Sequence, residues 1–162
     1  MGYRSEVAYA VKLDKYHEND KELMAQLKAN DLNLDDIWQM YITEIKIKCP
    51  IAISNSNDYG ETLMANHKER WLRFHDHDLK WYENYEGVQQ HHMILDIAKE
   101  YNKRYSDDYN LPDLFDIAFA RIGEEDGDID AWFDNEGMDM FYPVTLIEGD
   151  FMAKEKFKGE KL

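Results

Sequence analysis

Asp128, Asp130 and Asp134, with Trp132 before the last, fall on alternate positions of a short stretch of the 162-residue chain. Alternate residues of a strand lie about 7 Å apart on one face, a spacing of the order of consecutive phosphates along a nucleic-acid strand. Glu124, Glu125 and Asp126 precede them in a turn punctuated by Gly123 and Gly127. This pattern carries no readable nucleophile. It suits electrostatic recognition, because a protein built to grip phosphates through Lys and Arg meets a similar field, and long-range attraction speeds its capture. Trp132, read as exposed, then serves as an aromatic anchor. Between residues 107 and 150 there are fourteen Asp and Glu against one base, Arg121, so this segment carries −13 of the chain's formal −15. The plainer reading is a solvated acidic face that serves solubility.

The other chemistry-bearing residues are sparser. His75 and His77 stand at i, i+2 and share one strand face, a spacing that reaches a single metal. Tetrahedral zinc needs four ligands, however, and no companion pair has matching spacing. A metal-binding protein or metal-dependent hydrolase using His75 and His77 is the alternative function; a polar strand face is the plainer account. Asp126-Gly127-Asp128-Ile129-Asp130 faintly resembles a calcium loop, but Ala131 and Gly137 stand where that loop needs Gly and Glu. His91 lies on the apolar stripe of a helix without a Ser or Cys partner, as a core histidine would. The phosphate-binding loop, the dinucleotide fingerprint, paired C-x-x-C and H-E-x-x-H are all absent from the sequence. The expectation is a non-enzymatic binding protein without cofactor or metal; a structural or assembly protein, acidic only for solubility, is a further alternative.

Composition sets the frame for these residues. The chain is 44% hydrophobic and 14% aromatic, as a globular chain is and an acidic disordered tail is not. Its length predicts one domain over residues 1–150, followed by a Lys-rich tail, 151–162, that frays. A net charge of −15 and a pI near 4.7 disfavour direct binding to nucleic acid or anionic membranes and favour a basic partner. Cys49 is the only cysteine, so no intrachain disulfide forms, which suits a reducing cytosol. No stretch reads as a signal peptide or a membrane span.

The elements that position these residues follow from hydrophobic period. Residues 3–13 alternate as a strand. Asn19-Asp20-Lys21-Glu22 offers a cap with an acid three residues on, close to a capping box, for a helix that ends near Asn30, with Leu23 and Leu27 on its apolar edge. Residues 31–36 read as a polar connection. Tyr41, Thr43, Ile45, Ile47 and Cys49 alternate with Glu44, Lys46 and Lys48, predicting a strand closed by Pro50. A short helix is expected over 61–70 and a strand over 71–77, with 79–82 a bulged continuation. The longest helix spans about 88–105, its buried stripe formed by His91, Ile94, Leu95, Ala98, Tyr101 and Tyr105. The acidic hairpin, 115–134, and an extended piece, 143–147, close the list. The order β-α-β-β-α-β predicts an α+β fold: an antiparallel sheet with two helices on one face, a split βαβ (ferredoxin-like) plan with an extra C-terminal acidic hairpin.

Three short motifs carry a resemblance. They are Gly2-Tyr3-Arg4-Ser5-Glu6-Val7, Lys80-Trp81-Tyr82-Glu83, and Arg121-Ile122-Gly123-Glu124-Glu125 running into Asp128-Ile129. In these the chain resembles uncharacterised small acidic proteins of tailed bacteriophages. The loop and possible helix between Ser54 and Arg70, and the Lys-rich tail, depart from that pattern. The resemblance implies a phage product acting in the bacterial cytosol, and it supplies no catalytic residues. In that setting the acidic surface implies a host DNA- or RNA-binding protein, such as a defence or transcription component, as the partner. This last step is an analogy from context and charge.

Overall fold

The sheet is built around β1 (Ser5–Leu13), whose residues Val7 to Val11 are wholly buried. The computed structural model describes residues 4–54, 63–134 and 159–162, and the side chains of all of these except His77, Asp78, Phe133 and Asp134. After β1 come a 3₁₀ turn (Lys15–Asn19), α1 (Lys21–Ala29), α2 (Leu34–Lys48), α3 (Pro50–Ser54) and β2 (Met64–Asn66). β3 (Trp71–Leu79), α4 (Glu86–Tyr109), β4 (Phe115–Gly123), β5 (Ile129–Asp134) and β6 (Glu160–Lys161) follow. The fold is therefore α+β, with four helices and a six-stranded sheet among the described residues. The strand order is β5-β4-β1-β3-β2-β6, and every pairing is antiparallel.

Cross-strand partners share a face, so the register sorts the two sides of the sheet. Tyr9 stands between Phe74 and Phe119, and Val11 between Leu72 and Ile117. His91 of α4 lies 4.3 Å from Phe74, and Tyr41 of α2 lies 5.1 Å from Phe115. The other side has an alanine floor, Ala8, Ala10, Ala118 and Ala120, flanked by buried Arg73, His75 and Asp116. Asn102 of α4 ties the helix to the start of β4. Its Oδ1 accepts from Leu114 and Phe115 N–H at 3.0 and 2.8 Å, and its Nδ2 donates to Phe115 C=O at 2.9 Å.

Two expectations are corrected. Residues 41–49 are not a strand: residues 41–48 belong to α2, Cys49 caps its end, and Ile47 on the supposed inner face is 72% exposed. Counted from Leu34, the buried positions Ile37, Trp38, Tyr41, Ile42 and Ile45 follow helical spacing. The polar stretch before them is the helix start. Asn33 Oδ1 accepts from the Asp35 and Asp36 N–H groups, acids fill the first turn, and Lys46 and Lys48 fill the last, all favourable to the helix dipole. Pro50 then opens α3, where its missing N–H costs nothing. The second correction concerns residues 61–70. The described part holds β2 and the turn into β3, which Arg70 closes with a φ of +54°.

β1, α1, α4 and the β4–β5 hairpin form where expected, whereas residues 79–82 and the chain end depart from expectation. α4 runs longer than the predicted stripe, ending at Asn110 in the left-handed conformation. β3 stops at Leu79; Trp81 leaves the sheet and packs on His91 and Phe119. The chain end, expected to fray, pairs Glu160 and Lys161 with β2, and Leu162 N–H donates to Leu63 C=O at 3.1 Å. The predicted extended piece at 143–147 lies outside the described residues. No helix among them is long and apolar enough to cross a membrane.

Candidate acidic interface

β4 and β5 form the hairpin that carries the acidic row. Ile122 pairs with Ile129, and the ladder runs on through Arg121–Asp130, Ala120–Ala131, Phe119–Trp132 and Ile117–Asp134. The turn is closed by Gly123 N–H donating to Asp128 C=O at 2.8 Å and Asp128 N–H to Glu125 C=O at 3.1 Å. Gly127 has a φ of +82°, the region where glycine alone is unstrained.

The sides of β5 are the reverse of what simple burial of its apolar residues predicts. Trp132 pairs with Phe119, and Asp130 with Arg121, so the acid-and-Trp row borders the side of the sheet covered by α4. Ile129 is 52% exposed and Ala131 is exposed. The cause lies in β4, which is buried on both sides from Phe115 to Ala120; the largest ring of β5 gains most by stacking on Phe119. Trp132 is accordingly half-buried rather than exposed. It stacks on Phe119 at 5.8 Å and 21°, and Lys99 Nζ of α4 sits 3.9 Å above the ring. With an aromatic ring against it and a cation over it, Trp132 belongs to the packing of the hairpin on α4.

The carboxylates divide in the same way. Asp128 is held by both guanidinium nitrogens of Arg121, at 2.8 and 3.1 Å, and Arg121 also donates to Ser5 Oγ at 3.4 Å. Such a bidentate pair fixes geometry and cancels charge. Glu124 accepts from the Arg4 backbone N–H at 2.8 Å, tying the turn to the start of β1. Asp126 and Asp130 are exposed and make no ion pair among the described residues. Glu124 and Glu125 are exposed beside them. The side chain of Asp134 lies outside the described residues. Four of the predicted contact residues, Glu124, Glu125, Asp126 and Asp130, thus form an exposed acidic turn at the corner where β4, β5 and the start of β1 meet.

No family model, curated protein or solved structure matches the chain. Function is therefore read from geometry.

His75 and His91 are both buried. His75 on β3 is buried, with Nε2 3.0 Å from Glu6 Oε1. The side chain of His77 lies outside the described residues. Among those residues no group of three or more His, Cys, Asp or Glu side chains converges for a metal. His91 is buried between Phe74 and Trp81, and its Nδ1 lies 2.6 Å from the Tyr9 hydroxyl. Burial, and secondarily neighbouring His92, pushes its pKa down to about 3, so it is a neutral member of the core. Burial also raises the hydroxyl pKa of Tyr9 and Tyr41, and pushes the Cys49 thiol up to about 11. None of these groups is poised for acid–base or nucleophilic work near neutral pH.

A second acidic feature escaped the sequence reading. A cleft of about 740 Å3 lies beside the start of α2, lined by Glu18, Asp31, Asp35, Asp36 and Arg70 above apolar Leu27 and Leu34. Arg70 is 2% exposed and joins Glu18 (3.1 Å), Asp35 (2.8 Å) and the Leu13 carbonyl (3.1 Å). It pins the 3₁₀ turn, α2 and β1 together. Its partners lie 52, 35 and 57 positions away, so no local pattern announces the cluster.

Proposed function

We propose that this chain is a non-enzymatic acidic protein of a tailed bacteriophage that occupies a basic, nucleic-acid-binding protein of its host in the bacterial cytosol. The contact is the β4–β5 turn, with Glu124, Glu125, Asp126 and Asp130 offered to Lys and Arg side chains. The observation that carries this reading is the exposed cluster itself. Asp126 and Asp130 stand without an ion pair among the described residues, on a chain of net −15. Asp128 and Trp132 act as its support, one fixing the turn through Arg121 and the other fixing β5 through Phe119 and Lys99. The field of such a cluster raises the on-rate of a basic partner and weakens with salt.

We also read the scaffold as a split βαβ plan with two helices on one face and the acidic hairpin added at one edge. The run β4-β1-β3-β2, with helices in the connections from β1 to β2 and from β3 to β4, supports that reading. So do the ring contacts of α2 and α4 with the same side of the sheet.

The test is capture from bacterial lysate on the immobilised protein, eluted by a salt gradient and identified by mass spectrometry. One nucleic-acid-binding protein should be retained, then released by moderate salt or by competing DNA. The variant Glu124→Lys, Asp126→Lys, Asp130→Lys should keep its circular dichroism spectrum and lose that capture. Equal capture by the variant would remove the turn as the contact.

A further inference from the structure

α2 has a second face that its packing leaves open. Opposite the buried stripe, Met40 is 50% exposed and Ile47 is 72% exposed. Seven residues apart, they lie about 10.5 Å from each other along one side of the helix, with Thr43 between them. The stripe borders a shallow groove of about 610 Å3 that reaches Tyr101 of α4. Charge on this groove is mixed: Lys48 is held by Glu44 at 2.8 Å, Asp36 lines it beside them, and Arg104 lies over the Tyr101 ring at 5.0 Å. In a chain of net −15, this is a face that a second copy approaches without strong like-charge repulsion. The ends of α2 are also opposite in sign, with Asp35 and Asp36 in the first turn and Lys46 and Lys48 in the last. An antiparallel pair of such helices sets each acidic end beside a basic one.

We infer that α2 is a self-association surface, on which two copies of the chain pack α2 against α2 antiparallel about a two-fold axis. With the axis level with residues 43 and 44, each Met40 meets Ile47 of the other copy, the self-complementary arrangement a two-fold requires. Lys48 of one copy then stands within about 4.5 Å, along the axis, of Asp36 of the other. A helix of 15 residues is only about 22 Å long, so the contact is smaller than the roughly 800 Å2 per partner of a stable complex. The contact therefore falls among weak, transient interfaces, and the dimer forms only at high protein concentration.

Sedimentation equilibrium of the full chain, from about 5 to about 500 μM in about 150 mM salt, tests this. The wild type should pass from monomer to dimer across that range. Ile47→Glu should remain monomeric throughout while its unfolding at low concentration is unchanged. Asp36→Lys and Lys48→Glu should each raise the Kd about 3- to 10-fold, and the double variant should recover most of the loss. A wild type that stays monomeric overturns the inference. So does a dimer indifferent to Ile47→Glu, since another surface then makes the contact, and so does failure of the charge swap to restore association.

Discussion

His91 makes acid sensitivity of this fold a quantitative test of its core. The ring is buried against Phe74 and Trp81, next to the Tyr9 hydroxyl, and burial holds its pKa at about 3 against an ordinary 6.5. Between those two values the unfolded chain binds a proton that the folded chain does not. Stability from this site is therefore fully present above 6.5 and falls as pH drops below it. Each pH unit in that window is worth about 1.4 kcal/mol, so the loss by about pH 5 is about 2 kcal/mol. The perturbation is His91→Asn, which keeps a polar atom near Nδ1 and removes the titrating ring. The variant should be less stable near neutrality, by about 2 kcal/mol, because it forfeits ring contacts. Urea denaturation at about pH 7 and about pH 5 would be followed by circular dichroism for both proteins. Groups far from residue 91 are common to both proteins and cancel in the difference. The stability gap between wild type and variant should shrink by about 2 kcal/mol over that interval. A gap that stays constant means that the buried ring takes up a proton without cost, and the reasoning fails.

Two further predictions address the corrected elements. Ile45→Ala, at a wholly buried position of α2, should cost about 3 kcal/mol, whereas Ile47→Ala, measured at low concentration, should stay within about 0.5 kcal/mol. Alternation on a strand would make the two costs similar, and equal losses in denaturant titrations would contradict the helix. At residue 70, where φ is +54°, Arg70→Gly should be about 1 kcal/mol more stable than Arg70→Ala, although both lose the bonds to Glu18, Asp35 and Leu13. An alanine variant equal to or better than glycine would show that the turn relaxes once the arginine is gone.

What the sequence disclosed depended on how local the signal was. β1, α1, α4 and the β4–β5 hairpin were readable because period, cap and turn residues agreed within each window. All six residues assigned to the buried stripe of α4, from His91 to Tyr105, are buried. α2 misled because residues 41–49 fit both periods: Tyr41, Ile45 and Cys49 are four apart as well as on alternate positions. Only the upstream Leu34, Ile37 and Trp38, with the Asn33 cap, break the tie. In the acidic row, the positions of the carboxylates were legible and their partners were not. That Arg121 would face Asp128, and that Lys99 would come from α4 to lie over Trp132, are facts of register and helix packing. Nor did any window show that β4 is buried on both sides, which decides how β5 turns.

The distribution of acids bears on whether charge alone explains them. Several are used locally: Asp20 accepts from Leu23 N–H to cap α1, Asp35 holds Arg70, and Asp128 holds Arg121. Others run against local energetics. Asp107 and Asp108 occupy the last turn of α4, which has no basic residue, although the helix dipole favours cations there by about 0.3–1 kcal/mol each. They also provide a control for the proposed contact. The end of β4 at Phe115, where α4 delivers the chain, is eight residue steps, or about 27 Å, from the hairpin end at Gly123. Asp107→Lys with Asp108→Lys changes the net charge by the same amount as Asp126→Lys with Asp130→Lys. The distal pair should stabilise the fold by about 0.5–1 kcal/mol and leave partner capture intact, and the hairpin pair should abolish capture. Two distances thus receive one change of charge. If both variants lose capture to the same extent, attraction is general to the −15 chain and the hairpin is not a docking site. If only the hairpin variant fails, the contact is local, and overall acidity serves to bring the partner to it.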